Sequence, residues 1–315
     1  MTIALAIHGG CGTLPKSEMT DAEWAEARAD LATSLRAGWA ILSLGGTAVD
    51  AVEAAVRVME DSPHFNAGHG ASFNADGEHE LDASIMDGAT LAAGALAGVK
   101  RIRNPVSAAK ALMLRGDPLL LAGAAGDSFA EHEGLDIVEN GYFSTERRRK
   151  NLSSMKIREL VGTASQASEA EKHGTVGAVA LDAQGHLAAA TSTGGYTNKP
   201  VGRVGDSPII GAGTYARDGR CAVSGTGKGE YFIRYCVGHE LASLIAYKGL
   251  GLEEAAGTVL AELTAHTIGA GLVAIDADGT IVAPYNTDGM YRGWVTPDGT
   301  VHVATHGEIE IAGQA

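Results

Sequence analysis

Blocks of strand-like and helix-like sequence succeed one another along this chain in an order that fits two sheets. An apolar run, ALAIHGGCG, precedes two helical segments and then a further strand-like region, while the second half reads TVGAVALD, LAAATST, CAVSG, a helical block and GLVAIDADGTIVAPYN. In the last segment a D-A-D-G turn joins two apolar runs, which predicts a hairpin. Strands and helices therefore come in groups instead of alternating singly, and the order predicts an α+β stack of two sheets covered by helix layers rather than a parallel αβαβ winding.

Two early helices carry clear start and stop signals. Thr20 and Glu23 have the spacing of a capping box, and the helix they start should end at the Gly pair of SLGG. A second helix should run from a cap at Thr47 to Ser62 and Pro63, with its apolar face packed on a core.

The middle of the chain is less regular. The segment FNAGHGASFNADGEHELDASIMDG predicts a loop followed by a strand, with close backbone approach at its Gly-containing turns. From Pro105 to His132 the pattern predicts helix, broken at GDP and at GAAGD. From Leu152 to His173 the sequence is polar, rich in Ser and Ala, and without an apolar stripe, which predicts a linker.

Charge and cysteine content bear on partners and on cellular location. The chain has 315 residues and a formal net charge of −14, and its basic run is short, Arg147 to Lys150. This balance gives no electrostatic surface for nucleic acid or an anionic membrane, so small-molecule substrates are expected. The apolar start lacks a basic region and ends in a Gly turn, which is not typical of a signal peptide, and no apolar stretch reaches the length of a membrane span. Three scattered cysteines are typical of reduced thiols, so a cytoplasmic location is expected.

Several catalytic motifs fail on spacing. SGTGKGE at residues 224–230 has neither the Walker glycine nor the Ser or Thr after its Lys, and it is not a GxGxxG segment. His79-Glu80 and His239-Glu240 lack the second His of a zinc HExxH helix, and Ser224 lacks the Gly of a nucleophile elbow. Nucleotide binding, zinc catalysis and a serine esterase mechanism are therefore not indicated, and no organic cofactor is expected.

The junction His173-Gly174-Thr175-Val176-Gly177 joins the predicted linker to a strong strand. If the bond before Thr175 were cut, that residue would carry both a hydroxyl nucleophile and an α-amine with a pKa near about 7.7 to 8.0. Such an amine can act as general base on its own residue without loss of orientational entropy. Spacing alone favours an ordinary Gly-Thr pair at a strand start.

Longer motifs decide between these interpretations. The segments IHGGCG, FNAGHGASFNADGEHELDASIMDG, HGTVGAVALD, LAAATSTGG, GRVGDSPIIGAGTYA, SGTGKGE and NTDGMYRGW occur in this order along almost the whole chain. Together they resemble the N-terminal-nucleophile asparaginases, the plant-type L-asparaginase and isoaspartyl peptidase family. The resemblance implies a single domain, residues 1–315, folded as a four-layer αββα sandwich. It also implies a precursor that cleaves itself between Gly174 and Thr175 into an α chain, residues 1–174, and a β chain, residues 175–315.

The resemblance further implies a role for each matching residue. Thr175 would be the nucleophile, Thr193 would orient its hydroxyl, and Thr226 with Gly227 would form the oxyanion hole. Arg203 would clamp the substrate α-carboxylate and Asp206 its α-ammonium, chemistry that suits both side chains. The other residues implied at the substrate site are Val204, Gly205, Lys228, Gly229 and Asn66.

A structural sodium ion is also implied, held by backbone carbonyls of one loop. Its ligands would be Met59, Glu60, Ser62, Phe65, Ala67 and His69. Carbonyl oxygens suit a hard cation, whatever the side chain. Ser62, His69 and Cys11 depart from the residues common in the family, but none of the three changes removes a catalytic group.

The expected activity is acyl transfer: hydrolysis of L-asparagine to L-aspartate and ammonia, and protease-like cleavage of β-aspartyl dipeptides, through a β-aspartyl enzyme. The family also implies a dimer of αβ heterodimers. Two alternatives remain open at this point. One is a glycosylasparaginase, and the other is an unprocessed, inactive relative that acts as a binding protein.

Overall fold

The computed structural model describes residues 2–12, 19–163 and 174–315. In its first part, helices and strands alternate in small groups. They are β1 (Ala4–Cys11), α1 (Asp21–Ser43), α2 (Ala48–Asp61), β2 (Leu81–Asp87), β3 (Ala93–Val99), α3 (Pro105–Arg115), β4 (Leu120–Ala122), α4 (Ala124–His132), a short 3₁₀ helix (Asn140–Phe143) and α5 (Glu146–Leu160).

The part that begins at Gly174 opens with strands. Its elements are β5 (Val176–Leu181), β6 (Leu187–Thr193), β7 (Thr214–Arg217), β8 (Cys221–Gly227), α6 (Gly229–Tyr235), α7 (Val237–Lys248), α8 (Leu252–Ala265), β9 (Ala270–Asp276), β10 (Ile281–Val282), β11 (Met290–Val295), β12 (Thr300–Ala304) and β13 (Ile309–Gln314). No helix in the described ranges is long and apolar enough to cross a membrane.

The described strands form two sheets, as the segment order predicts. The larger has the order β13-β12-β11-β1-β5-β6-β2-β3-β4 and the smaller β10-β9-β8-β7. Neighbouring strands are antiparallel except for the parallel pair β3 and β4. The centre of the larger sheet brings β1, β5 and β6 side by side, with His8 opposite Gly177 and Val176 opposite Ser192. The start of β5 therefore lies between the ends of β1 and β6.

The larger sheet is covered on both faces. Every residue of β1 and β5 is buried. Leu5 and Ile7 share a cluster with α1 and α2, while Ala4 and Ala6 share a second cluster with β8, β9, α7 and α8. Because successive side chains of a strand point to opposite faces, the helix pair covers one face and the smaller sheet covers the other. The architecture is mixed α+β with helices on two large sheets.

Several local predictions are confirmed. Thr20 and Glu23 form a complete capping box at the start of α1, and Thr47 caps α2 through the backbone N–H of Asp50. The D-A-D-G turn joins β9 and β10, which pair antiparallel.

Two predictions along the middle of the chain are wrong. The region predicted as helix from Pro105 to His132 contains strand β4, and GAAGD starts helix α4 instead of breaking one. The predicted linker begins too early, because helix α5 continues to Leu160 with Thr145 as its cap. This helix has no apolar stripe because only Arg148 and Met155 are buried on it. The remainder of the predicted linker, residues 164–173, lies outside the described residues.

Candidate active site

The Gly174-Thr175 bond lies at the start of β5, in a tightly packed setting. Thr175 is only 7% exposed. A side chain at position 174 would place its Cβ 2.8 Å from the Cβ of Asn66, closer than real Cβ contacts come, so glycine is required there by close approach. On the other side, Gly10 has a φ of +110° and lies against Gly174 and the Thr175 nitrogen. Glycines on β1 and at position 174 thus bring two backbones together at this bond.

The carbonyl oxygen of Gly174 is the centre of a hydrogen-bond cluster. The Thr175 hydroxyl lies 2.8 Å from it, the Thr193 hydroxyl donates to it at 2.9 Å, and the Asn66 side-chain amide donates at 3.0 Å. The hydroxyls of Thr175 and Thr193 are 3.2 Å apart. A nucleophilic hydroxyl, its neighbouring hydroxyl and an amide donor therefore converge on one peptide carbonyl.

Asn66 is held rigidly in this position. Its Oδ1 accepts from the Ser72 backbone N–H at 2.7 Å, while its Nδ2 also donates to the Gly195 carbonyl at 2.6 Å. Because an N–H group faces one end of the amide and carbonyls face the other, the contacts fix which atom is nitrogen. The amide N–H that points at the Gly174 carbonyl is thus oriented before any reaction.

Residues far apart in sequence meet in a small pocket beside the junction. Its volume is about 10 Å³. It is lined by Gly174, Thr175, Thr193, Gly195, Arg203, Gly205, Asp206, Ser207 and Gly227. The predicted nucleophile, its neighbouring threonine, both predicted substrate clamps and one predicted oxyanion residue are therefore together.

Arg203 is oriented by two neighbours. Its Nε and Nη2 contact the Glu230 carboxylate at 3.1 Å, and its guanidinium lies 4.8 Å from the centre of the Tyr196 ring. Gly205, which lines the pocket, lies against Nη1, since a Cβ there would be 2.8 Å from that atom. One edge of the guanidinium is thus bound to Glu230, and the Nη1 side faces the pocket-lining glycine.

Asp206 is a buried carboxylate at the same pocket. It is 5% exposed, and its Oδ2 has no hydrogen-bond partner among the described residues. Burial raises the pKa of Asp206 to about 7, against the opposing effect of Arg203. A buried carboxylate with a vacant acceptor gains from a cationic partner, and an α-ammonium is such a partner.

The other predicted substrate residues are placed less uniformly. A Cβ on Gly229 would be 2.6 Å from Asp206 Oδ1, so this backbone lies directly against the carboxylate. Thr226 is buried behind the pocket, where its hydroxyl accepts from the Cys11 backbone N–H at 3.2 Å. Val204 is 37% exposed, and Lys228 is exposed with its Nζ 5.5 Å from the Tyr231 ring centre. Neither lines the pocket.

The sequence did not predict a buried row of hydrogen-bonded polar side chains that lies against β5, the strand that follows the nucleophile. His8 Nε2 lies 2.8 Å from the Ser224 hydroxyl, which is 2.7 Å from the Thr191 hydroxyl. A Cβ on Gly177 would fall 1.9 Å from Ser224 Oγ. Burial lowers the pKa of His8 to about 3, so this imidazole is neutral at physiological pH. The available signal was the pair of glycines after His8, since glycine inside a strand marks a bulge or close approach.

The loop predicted to bind sodium is folded back on itself. The His69 backbone N–H donates to the Glu60 carbonyl at 2.7 Å, and the Ser62 N–H donates to the Met59 carbonyl at 3.3 Å. Each carbonyl has a second lone pair, so these bonds leave acceptor capacity for a cation. The side chain of Glu60 is fully buried, with Oε2 unpartnered among the described residues. A loop whose backbone carbonyls keep unused lone pairs is chemically suited to a hard cation.

Comparison with known proteins identifies the family of this chain. Residues 1–305 match the model of a protein family described as "Asparaginase". The chain is 45% identical over 294 residues to the "Isoaspartyl peptidase" of Escherichia coli, covering 92% of each chain. It is 40% identical over 291 residues to the "Isoaspartyl peptidase/L-asparaginase" of Mus musculus, covering 92% of this chain and 87% of the mouse protein. It is 38% identical over 316 residues to the Xenopus laevis protein of the same name, covering 99% and 98%. The chain belongs to the asparaginase family.

Proposed function

We propose that this protein is a self-processing threonine hydrolase that converts L-asparagine to L-aspartate and ammonia and cleaves β-aspartyl dipeptides. The observation that carries the proposal is the Gly174 carbonyl, which lies 2.8 Å from the Thr175 hydroxyl and accepts from two other side chains. The names of the relatives, isoaspartyl peptidase and isoaspartyl peptidase/L-asparaginase, support the substrate class.

Self-processing would begin with attack of the Thr175 oxygen on the carbonyl carbon of Gly174. The peptide C–N bond breaks, the proton that the Thr175 hydroxyl gives up is transferred to the Thr175 nitrogen, and an ester links Gly174 to the Thr175 oxygen. Negative charge develops on the Gly174 oxygen, where the Asn66 amide and the Thr193 hydroxyl already donate. Donors positioned in this way before the reaction are the main electrostatic aid to acyl transfer. Water then hydrolyses the ester and frees both the hydroxyl and the α-amine of Thr175.

In the cut enzyme the same hydroxyl would attack a side-chain amide of the substrate. The Thr175 α-amine accepts the hydroxyl proton and passes it to the leaving ammonia or amino acid. The substrate α-ammonium pairs with Asp206, and its α-carboxylate binds the guanidinium of Arg203 that Glu230 orients. Thr226 and Gly227 are the proposed oxyanion hole of this step, and Thr193 orients the nucleophile. Water hydrolyses the β-aspartyl ester, which releases L-aspartate and restores Thr175.

We propose that four residues around the pocket determine which substrates the enzyme accepts. They are Val204, Gly205, Lys228 and Gly229. The backbone of Gly205 lies directly against the Arg203 side chain, and the backbone of Gly229 lies directly against the Asp206 carboxylate. A side chain at either position would disturb one of the two substrate clamps. Lys228 is exposed and directly follows Gly227, which lines the pocket. We propose that Lys228 contacts the leaving group of the substrate and not its aspartyl group.

The proposed architecture is one domain, a four-layer αββα sandwich that stays together after the cut. The helix pair on one face of the larger sheet and the smaller sheet on the other support this layering. We also propose the dimer of αβ heterodimers and the cytoplasmic location implied by the family resemblance. The location is supported by Cys11, Cys221 and Cys236, none of which is in a disulfide.

The structural sodium ion remains part of the proposal. The backbone carbonyls of Met59, Glu60, Ser62, Phe65, Ala67 and His69 would hold it. The ion would fix the loop that carries Asn66, and it takes no part in the reaction. Exchange of sodium for a large organic cation at constant ionic strength should lower the melting temperature, and an unchanged melting temperature would argue against the ion.

One set of variants tests the proposed function. The purified chain should resolve into two fragments on a denaturing gel, with Thr175 at the N-terminus of the smaller one. Thr175→Val keeps the shape of the side chain without its hydroxyl, and it should remain uncut and release no ammonia from asparagine. Thr175→Ser restores a hydroxyl and should be cut. An intact wild-type chain without ammonia release would indicate an inactive binding protein.

The substrate class is tested by comparing initial rates on L-asparagine, a β-aspartyl dipeptide and a glycosylated asparagine. The proposal expects hydrolysis of the first two. Hydrolysis of the glycosylated compound alone would instead identify a glycosylasparaginase.

A further inference from the structure

Gly174 lines a second cavity in addition to the substrate pocket. Its volume is about 40 Å³, and Gly10, Asn66, Arg147, Arg148, Asn151 and Gly174 are among the residues that line it. The cavity therefore joins the end of the future α chain to two guanidinium groups. Nothing in the proposed hydrolysis of asparagine uses either arginine.

Among the described residues, Arg148 is a buried cation without an anionic partner. It is 6% exposed, and its Nε donates to the Gly70 carbonyl. Arg147 binds the Pro63 and His64 carbonyls through Nη2. Neither arginine forms an ion pair with a carboxylate in the part of the chain that the structure describes. Burial and the neighbouring charge of Arg147 lower the pKa of Arg148 to about 9.

This arrangement is costly unless an anion completes it. A buried charge loses several kcal/mol of hydration, and proteins recover this loss by pairing it. Two adjacent guanidinium groups add repulsion to that cost. Each guanidinium group is also planar and carries several N–H donors, a geometry that binds carboxylates well.

We propose that Arg147 and Arg148 form a carboxylate site that receives the new C-terminal carboxylate of Gly174 after self-cleavage. The inference rests on the proposed self-processing. Hydrolysis breaks the Gly174-Thr175 bond, adds a water oxygen to the Gly174 carbonyl carbon, and leaves a carboxylate where an amide stood. That negative charge is created at the wall of a cavity that two cations, Arg147 and Arg148, also line.

The product must also leave its original position. In the uncut chain the Gly174 oxygen takes hydrogen bonds from Asn66 and Thr193 beside the nucleophile. A carboxylate that stayed there would hold these donors and lie against the Thr175 hydroxyl that has to attack substrate. Movement into the arginine cavity clears the nucleophile and gives the buried arginines their counter-charge.

The size of the cavity is consistent with this occupant. One water needs about 10 to 15 Å³ of such volume. A cavity of about 40 Å³ therefore holds roughly three water-sized groups, which is the number of heavy atoms in a carboxylate.

The test compares the uncut chain with the cut chain, using formate as the probe. Thr175→Val keeps the peptide bond intact, so its arginine cavity lacks the product carboxylate and should bind formate. Replacing chloride by formate at constant ionic strength should raise the melting temperature of this variant by roughly 2 °C or more at ten times the dissociation constant. The fully cut wild-type protein should show no such shift, because its own Gly174 carboxylate fills the site. A gel of each sample reports cleavage separately, so failure of self-processing is distinguished from failure of the carboxylate site.

Variants of the arginines identify the site. In the Thr175→Val background, Arg148→Met should abolish the formate shift, Arg148→Lys should retain part of it, and Arg149→Met should leave it intact. Arg149 is the matched control, because it is exposed on the same helix and stacks on Phe73 outside the cavity. Absence of a formate shift in the uncut variant would overturn the proposal. Equal shifts in cut and uncut protein, both lost with Arg148→Met, would overturn the assignment of Gly174 as occupant and identify a site for free carboxylates.

Discussion

Replacement of Asn66 by alanine tests the geometry around the Gly174 carbonyl most directly. The Asn66 amide donates to that carbonyl at 3.0 Å and is fixed by bonds to Ser72 and Gly195. Loss of one donor to an oxyanion costs about 2.7 to 4 kcal/mol of transition-state stabilisation, or roughly 100- to 1000-fold in rate. Because Thr193 still donates to the same oxygen, Asn66→Ala should still cleave itself. Its cleavage rate should be roughly 100- to 1000-fold below that of the wild-type chain.

The assay is a time course of freshly translated chain on a denaturing gel, fitted to a first-order rate. A folding defect must be separated from a chemical one, since Asn66→Ala leaves the Ser72 N–H unpaired at a cost of about 1 to 3 kcal/mol. Asn74→Ala is the matched control. Asn74 is fully buried, and its Oδ1 accepts from the backbone N–H groups of Asp76 and Glu78.

Both variants should lose stability, as measured by denaturant unfolding, but only Asn66→Ala should be slow to cleave. Cleavage of folded Asn66→Ala at the wild-type rate would refute the assignment of this amide as an oxyanion donor. Equal slowing of the two variants would show that the effect comes from loop packing.

Four further predictions concern the substrate clamps and the nucleophile strand. Burial raises the pKa of Asp206 from 3.8 to about 7, so kcat/KM for asparagine should rise with pH through that value as the carboxylate forms. Because the pKa is higher in the folded than in the unfolded chain, ionisation of Asp206 destabilises the folded state at any pH above 3.8. Asp206→Asn should therefore have a higher melting temperature than the wild type at pH 8 and an equal one below pH 3.8. The same variant should lose substrate binding. Glu230→Ala removes the carboxylate that orients the clamping guanidinium, and steady-state kinetics should show KM raised about tenfold, or 1.4 kcal/mol, at nearly constant kcat. Gly177→Ala would place a Cβ 1.9 Å from a buried serine oxygen and should lower the melting temperature, whereas Gly257→Ala, in open space on α8, should not; equal melting temperatures would contradict the packing argument.

Local signals along the sequence predicted much of the secondary structure. The Thr20 and Thr47 caps and the D-A-D-G hairpin depend on residues within a few positions of each other, so short-range chemistry was sufficient. Helix α5 was missed because its stability does not come from an apolar stripe. It buries a guanidinium, Arg148, where a hydrophobic pattern expects an apolar side chain.

The site residues were predicted through family motifs and not through spacing. Thr175, Thr193, Arg203 and Asp206 are spread over more than thirty residues, and only strand pairing and the following loop bring them to one pocket. Contacts between residues that are distant in sequence, such as Glu230 with Arg203 at a separation of 27 residues, leave no local trace. The same holds for the arginine cavity, which forms where α5 meets the end of β1.

The contacts of the uncut chain give a physical reason why, in the proposed mechanism, activity has to wait for cleavage. Before the cut, Thr193 and Asn66 both donate to the Gly174 carbonyl, and the nitrogen of Thr175 is part of an amide. An amide nitrogen is not a base, so the Thr175 hydroxyl has no α-amine to accept its proton. Thr193 and Asn66 are also occupied, because they donate to the Gly174 carbonyl instead of to a substrate. The proposed cleavage would change both conditions, because it turns the amide into an amine, and the two donors become free once the Gly174 carboxylate leaves its original position. In the proposed mechanism, the peptide bond at Gly174 would thus be the first substrate of the site and the group that keeps later substrates out.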